Sequence, residues 1–413
     1  MDTLLNVEGK PVFDECIEGI ELHSHHPYAS TKLEHGEEIR ISVQHQDIYT
    51  LPSESFLYIE GRFLKEDGSA PPLVAKLTQN AFAFLFEEIR YEICGAEIDR
   101  VKNPGIAGTL KGLASIKKES VNENTRWTSS DSIALNITSE NGHFNVCLPL
   151  NMLFGFAEDY RKIIVKVKQE LILIRSRRDD NCYLTKAVTE GENRIVEIAK
   201  IELQTISWKM PYLTLNDYNR LQLLRQLKKE KAILVPFRSW ELYEYPLLPA
   251  SQKQLWSVKT STQLEKPRFI ILAFQTNRKS NPENNASNFD HCELTSVKLF
   301  LNSKSYPYKD LNINFSTNQF GMLYYMYTNF QRSFFAETHP SPLLSLARYK
   351  NNGPIVVIDC TKQCESVKSG PVDVRLEFEA SRAFPENTTA YCLVIHDRVL
   401  EYNPFSNIVR KML

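Results

Sequence analysis

From Phe86 to Val101 apolar and charged residues take turns: Ile89, Tyr91 and Ile93 are separated by Arg90 and Glu92, and Ile98 stands between Glu97 and Asp99. A period of two is the pattern of a strand with one face buried, and Cys94-Gly95 interrupts it where a hairpin would turn. The pattern returns about two hundred residues later, where Leu294, Val297 and Leu299 lead into an Asn302-Ser303 turn and a return through Tyr306. A repeat at that distance predicts a duplicated domain rather than a solenoid.

The segments around the two hairpins follow the same order. In the first half, Ile39, Ile41 and Val43 alternate, and the run Phe56 to Phe63 is rich in strand formers. Ile106 to Ile116 has short-helix spacing. Phe144, Val146 and Leu148 alternate, Leu150 to Tyr160 predicts a short helix or crossing segment, and Ile163 to Ile174 and Ile195 to Met210 predict two long strands. In the second half, Ile233 to Tyr245 is strand-like, Arg268 to Phe274 stands where Phe56 to Phe63 stood, and Pro246 to Pro249 corresponds to the break at Leu51-Pro52. Gly321 to Phe334 takes the place of the helix at Ile106. Pro354 to Cys360, Val372 to Glu379 and Tyr391 to Tyr402 then match the Phe144, Ile163 and Ile195 strands.

Asn216-Asp217 offers an N-cap for a helix over Tyr218 to Lys229, with Tyr218, Leu221, Leu224 and Leu227 on one face. The resulting division is an N-terminal arm over 1–30, a first unit over 31–213, a linker helix over 214–231 and a second unit over 232–413. Short strands, turn punctuation and the lack of strand-helix-strand alternation make the chain all-β: two tandem eight-stranded jelly rolls, a double jelly roll, with short helices in the loops.

Composition narrows the function. The 413 residues carry 49 basic against 50 acidic side chains, which argues against a protein that neutralises phosphate along its surface and leaves weak or no direct DNA binding as the expectation. The start has no basic segment followed by an apolar run, and no window approaches eighteen consecutive apolar residues, so an intracellular, soluble product without a membrane span is expected. The eight cysteines are scattered, with only Cys360 and Cys364 close together, and are read as reduced thiols. Sequons at Asn136, Asn285, Asn314 and Asn387 are read as chance matches.

Four groups have the residue types of a chemical site. His23, His25 and His26, with His35 and His45, could ligate zinc or copper, but a solvated arm is the expected reading. Glu87-Glu88 and Asp179-Asp180 are adjacent in sequence, and neighbours in a strand point to opposite faces, so neither pair suits acid and base work. Arg175 to Asp180 reads as a solvated, self-compensating loop. The run Leu323 to Tyr327 with Phe330, Phe334 and Phe335 could stack bases or sugars, but its helical spacing predicts core or interface packing. No Walker loop, nucleophile elbow or zinc-protease motif occurs, and no catalytic, metal or cofactor residue is expected.

Leu51-Pro52-Ser53-Glu54-Ser55-Phe56, Ile59-Glu60-Gly61, Phe86 to Glu92 with Gly95, Glu97-Ile98-Asp99-Arg100 and Gly108 to Gly112 together resemble the double jelly-roll capsid-like proteins of Polinton (Maverick) elements and adintovirus-like viruses integrated in insect genomes. The match is most specific between Ile20 and Leu113, and the second half agrees in organisation more than in motif. The resemblance implies a non-enzymatic major capsid protein whose trimers form pseudo-hexameric capsomers of an icosahedral shell around double-stranded DNA. It further implies residence in the virion after synthesis in the host cytoplasm, with assembly there or in the nucleus. The implied partners are other copies of the chain and a penton or minor capsid protein. The alternative is a jelly-roll binding or scaffold module, lectin-like, cellular or taken over by a host.

Overall fold

A computed structural model describes the chain apart from residues 1–16, 29–32, 45–48, 73–74, 122, 129–137, 191–192, 229–231, 260–265, 303, 308–309, 363–371, 405 and 413. The predicted hairpin pairs Phe86–Ile93 with Ala96–Lys102. Cys94 and Gly95 both take positive φ, 52° and 77°, as a tight turn matching the strand twist requires. Its twin pairs Leu294–Leu301 with Lys304–Tyr306, and Asn302 supplies the positive φ of 53°.

Each half builds two facing antiparallel sheets from eight principal strands. In the first half these are, in chain order, Ile17–His25, Glu38–Val43, Phe56–Lys65, Phe86–Ile93, Ala96–Lys102, His143–Pro149, Gln169–Arg175 and Ala199–Leu215. In the second they are Ile233–Tyr245, Lys253–Lys259, Pro267–Thr276, Leu294–Leu301, Lys304–Tyr306, Val356–Asp359, Val374–Ala380 and Thr388–Asn403. In both halves the pairing order is first, eighth, third, sixth in one sheet and second, seventh, fourth, fifth in the other. That order is a jelly roll, formed twice in one chain.

Alternation on the strands becomes the core. Ile39, Ile41, Leu57, Ile59, Ile89, Tyr91, Leu171 and Leu173 point between the first pair of sheets, and Leu272, Phe274, Val297, Leu299, Leu376 and Phe378 between the second. α1 (Pro104–Ser115) follows the fifth strand of the first half, capped by the Asn103 side chain. Gly105 and Gly112 let Phe84 and Trp127 lie directly on it, where a Cβ would sit 2.1 and 2.2 Å from their rings. α2 (Gly155–Asp159) joins the sixth and seventh strands, and α3 (Asp217–Leu227), capped by Asn216, lies between the halves in sequence. α4 (Gly321–Phe335) occupies in the second half the place of α1 in the first, and α5 (Leu346–Asn352) follows it.

Several expectations need correction. Residues 17–25, expected within the arm, are the first strand, paired with the eighth from Ile17↔Leu215 to His25↔Trp208. Ile163 to Ile174 is not one strand: Lys166 takes a φ of 54°, separating Ile164–Val165 from Gln169–Arg175. The break at Leu51-Pro52 falls between second and third strands and Pro246 to Pro249 between first and second, so the two do not correspond. On α3 the packed face centres on Leu223 and Leu227, an i, i+4 pair against Tyr49, Val165 and Leu213, while Tyr218 and Leu221 are exposed.

Candidate assembly surfaces

One long surface of the first half is already occupied, by the second. The first strand of the second half, Ile233–Tyr245, packs on the strand Ala96–Lys102 and on α1 and α2. Gly155 lies so close to Arg238 that a Cβ would come within 1.7 Å of its carbonyl oxygen. Phe237 meets Phe156 edge-on at 5.6 Å, and Trp240 is fully buried.

The seam is polar as well as apolar. Asp159 receives the Arg238 guanidinium at 2.6 and 2.8 Å and its backbone N–H at 2.8 Å, while the guanidinium lies 3.5 Å over the Phe334 ring. Such a bidentate, stacked arginine combines charge with planar packing. Lys111 pairs with Glu158 beneath the rings of Trp240, Phe334 and Phe335. Burial pushes the Lys111 ammonium below its ordinary value, against the pull of Glu158. Asp99, fully buried, accepts from Ser239 Oγ at 2.6 Å and from the Phe156 N–H at 3.1 Å, with Arg398 4.0 Å away. Burial raises its pKa despite these partners.

Arg175 to Asp180 has a different role from the solvated loop expected. Arg175 and Asp179 form an ion pair with side chains 1% and 2% exposed. Ile201 donates its N–H to Asp179 at 2.7 Å, and its carbonyl accepts from Arg175 at 3.3 Å. The first strand ends at His25, opposite Trp208, so the Arg175–Asp179 pair satisfies backbone groups that the eighth strand would otherwise leave open at Ile201. His35 reaches Asp179 at 3.0 Å. Burial alone would raise the Asp179 pKa, but His35, Arg175 and the Ile201 amide together lower it. An i, i+4 pair of opposite charge was the available signal, and sequence does not say whether such a pair is wet or dry.

Among the described residues, exposed apolar side chains include two groups that each share a surface. On the strand Ile17–His25, Ile20 and Leu22 share a face and are 56% and 53% exposed. On the second half, an open groove of about 530 Å³ runs between α4, Tyr306-Pro307 and the strand Val356–Asp359, with Met322 and Tyr325 55% and 57% exposed at its rim. The rest of the aromatic run, Leu323, Tyr327, Phe330 and Phe334, is core.

The remaining candidate groups do not converge. His23 stacks on Tyr212 at 4.2 Å, His25 shares a 2.9 Å hydrogen bond with the same Tyr212, and His35 is on Asp179. His45 and Cys364 lie outside the described residues. Among the described residues no three of His, Cys, Asp and Glu gather in a metal-binding group, and no helix is long and apolar enough to cross a membrane.

Solved structures share the whole arrangement. A chain of the Sputnik virophage superposes with a TM-score of 0.61 over 100% of this chain and 92% of its own, at 8% identity. The mavirus major capsid protein does so with 0.53 over 95% and 90%, at 8% identity. The Faustovirus major capsid protein reaches 0.55 over 96% and 92%, at 10% identity. No curated protein matches this chain. The family described as the double jelly roll-like domain matches residues 75–400, most of the length. By that match, and by twin sheets of one strand order, the chain belongs to the double jelly roll-like domain family.

Proposed function

We propose that this protein is a major capsid protein whose copies associate as trimers, each trimer a pseudo-hexameric capsomer of an icosahedral shell around double-stranded DNA. The observation that carries this reading is the repetition of one eight-strand order in both halves, with the halves locked side by side by a buried seam. Two fixed jelly rolls per chain give a trimer six similar lobes, the shape that tiles a hexagonal net. The solved structures of like fold include chains named as major capsid proteins, spanning nearly this entire length. The near-balance of 49 basic and 50 acidic residues limits repulsion between neighbouring copies and favours copy-to-copy contact over direct DNA binding.

On this reading the chain is structural rather than enzymatic, its partners are further copies and a penton or minor capsid protein, and its place is the virion. The division into two units falls at α3, with the first unit beginning by Ile17. The sequence motifs between Leu51 and Gly112 support an origin among Polinton or adintovirus-like elements. The deciding experiment is light scattering coupled to size exclusion, followed by negative-stain microscopy. A mass of three times 47.7 kDa and six-lobed particles are expected. A chain that stays monomeric at high concentration overturns the reading.

A further inference from the structure

The seam inside the chain can be compared, strand for strand, with what the second half leaves open. Ile17–His25 and Ile233–Tyr245 are each the first strand of their half and pair with its eighth strand. On the second of these strands Val235, Phe237 and Trp240 are 3%, 4% and 1% exposed, whereas on the first Ile20 and Leu22 are more than half exposed. The same position in the fold is covered in one half and bare in the other.

What covers the second-half strand is the first half's fifth strand, the helix that follows it, and α2. The second half has a fifth strand ending in Tyr306 and a following helix, α4, and these line the open groove. The groove therefore occupies, on the second half, the place that holds Ile233–Tyr245 on the first. We infer that the groove between α4 and Tyr306-Pro307 of one copy receives the edge strand Ile17–His25 of a second copy, repeating between chains the contact that joins the halves within one. This rests on the capsid reading and names the surfaces through which its trimer would close.

The two surfaces suit each other in size and charge. Met322, Tyr325, Asn329 and Arg332 make one stripe along α4, and ten residues of helix span about 15 Å. Ile20 and Leu22 project from one face of the strand, and the five residues from Glu18 to Leu22 span about 15 Å. Glu18, exposed two residues before Ile20, places an acidic group at that end of the strand. Arg332 forms no hydrogen bond or ion pair among the described residues, while the groove's acid, Asp359, is engaged by Thr361 at 2.8 and 2.6 Å. The contact is heterologous, strand to groove, and such contacts close into rings when the rotation allows. A bare apolar edge strand left unpaired would be a template for aggregation.

The test places the photoreactive residue p-benzoylphenylalanine at position 20 of an isotope-labelled full-length chain and mixes it with unlabelled chain. After illumination, mass spectrometry is expected to find labelled position 20 joined to unlabelled peptides within 304–333. In parallel, Leu22→Glu and Tyr325→Glu should each raise the concentration at which the oligomer dissociates by roughly tenfold or more, because each buries an unpaired charge in the contact. The melting temperature of the monomer should stay unchanged. A trimer that crosslinks elsewhere and ignores both substitutions overturns the inference and leaves the capsid reading standing. A wild-type chain that never associates overturns both.

Discussion

The strands Ile17–His25 and Ile233–Tyr245 hold the same position at the edge of twin sheets, and they meet opposite surroundings. The second lies under Phe156, Lys111 and Gly155, its Arg238 held by Asp159 and its Ser239 by Asp99. The first turns Ile20 and Leu22 outward and keeps its inner hold through His23 and His25 on Tyr212. Equal topology therefore does not give equal energetics. An edge strand gains most of its stability from the surface laid over it, and only one of these two has that surface within its own chain.

Matched truncations break the comparison most directly. Trp240→Ala is expected to cost about 3–5 kcal/mol, because it empties a fully buried site at the seam. Leu22→Ala on the exposed strand should change the stability of the monomer by less than about 0.5 kcal/mol. Urea unfolding of both variants, well below any association concentration, measures the two. Equal costs would show that the first strand is packed as tightly as the second.

This asymmetry also explains what could be read from the sequence. The hairpins at Cys94-Gly95 and Asn302 were legible because alternation and a turn residue with positive φ coincide there. The correspondence of α1 with α4, and of Phe56–Lys65 with Pro267–Thr276, followed from their place around those hairpins. Ile17–His25 was not legible as a strand. Both of its faces carry exposed positions, so no inward set of apolar residues marks a period of two. Lys166 at positive φ gives no warning in a run of strand formers. The bare groove was half legible: the aromatic run announced a wide apolar face, but not that Tyr327 and Phe330 turn inward while Met322 and Tyr325 turn out.

The plug at the edge of the eighth strand and the seam between the halves can be set against each other by removing one charge from each. Arg175→Ala leaves Asp179 buried without its cation and opens the carbonyl of Ile201, and is expected to cost about 3 kcal/mol. Arg238→Ala removes a pair whose side chains are 23% and 16% exposed, so water replaces part of what is lost. About 1–2 kcal/mol is expected there. Chemical denaturation ranks the two. A larger loss at Arg238 than at Arg175 would mean that the seam, rather than the plug at the edge of the eighth strand, carries the greater electrostatic share.

The smallest effect is one of sign. Asp179, at the plug, has a carboxyl held below its ordinary value of 3.8, because His35, Arg175 and the Ile201 amide outweigh burial. Asp99, at the seam, is raised above 3.8 by burial that Arg398 and Ser239 do not offset. A depressed folded value contributes stability that is present above 3.8 and lost as pH falls through the folded value. A raised one contributes stability that is present below 3.8 and lost as pH rises through the folded value. The stability of the wild type relative to Asp179→Asn should therefore shrink as pH is lowered beneath 3.8. Relative to Asp99→Asn it should instead grow as pH is lowered from neutrality toward 3.8. Urea midpoints across that range separate the two slopes, and slopes of the same sign would show that plug and seam surround their carboxylates alike.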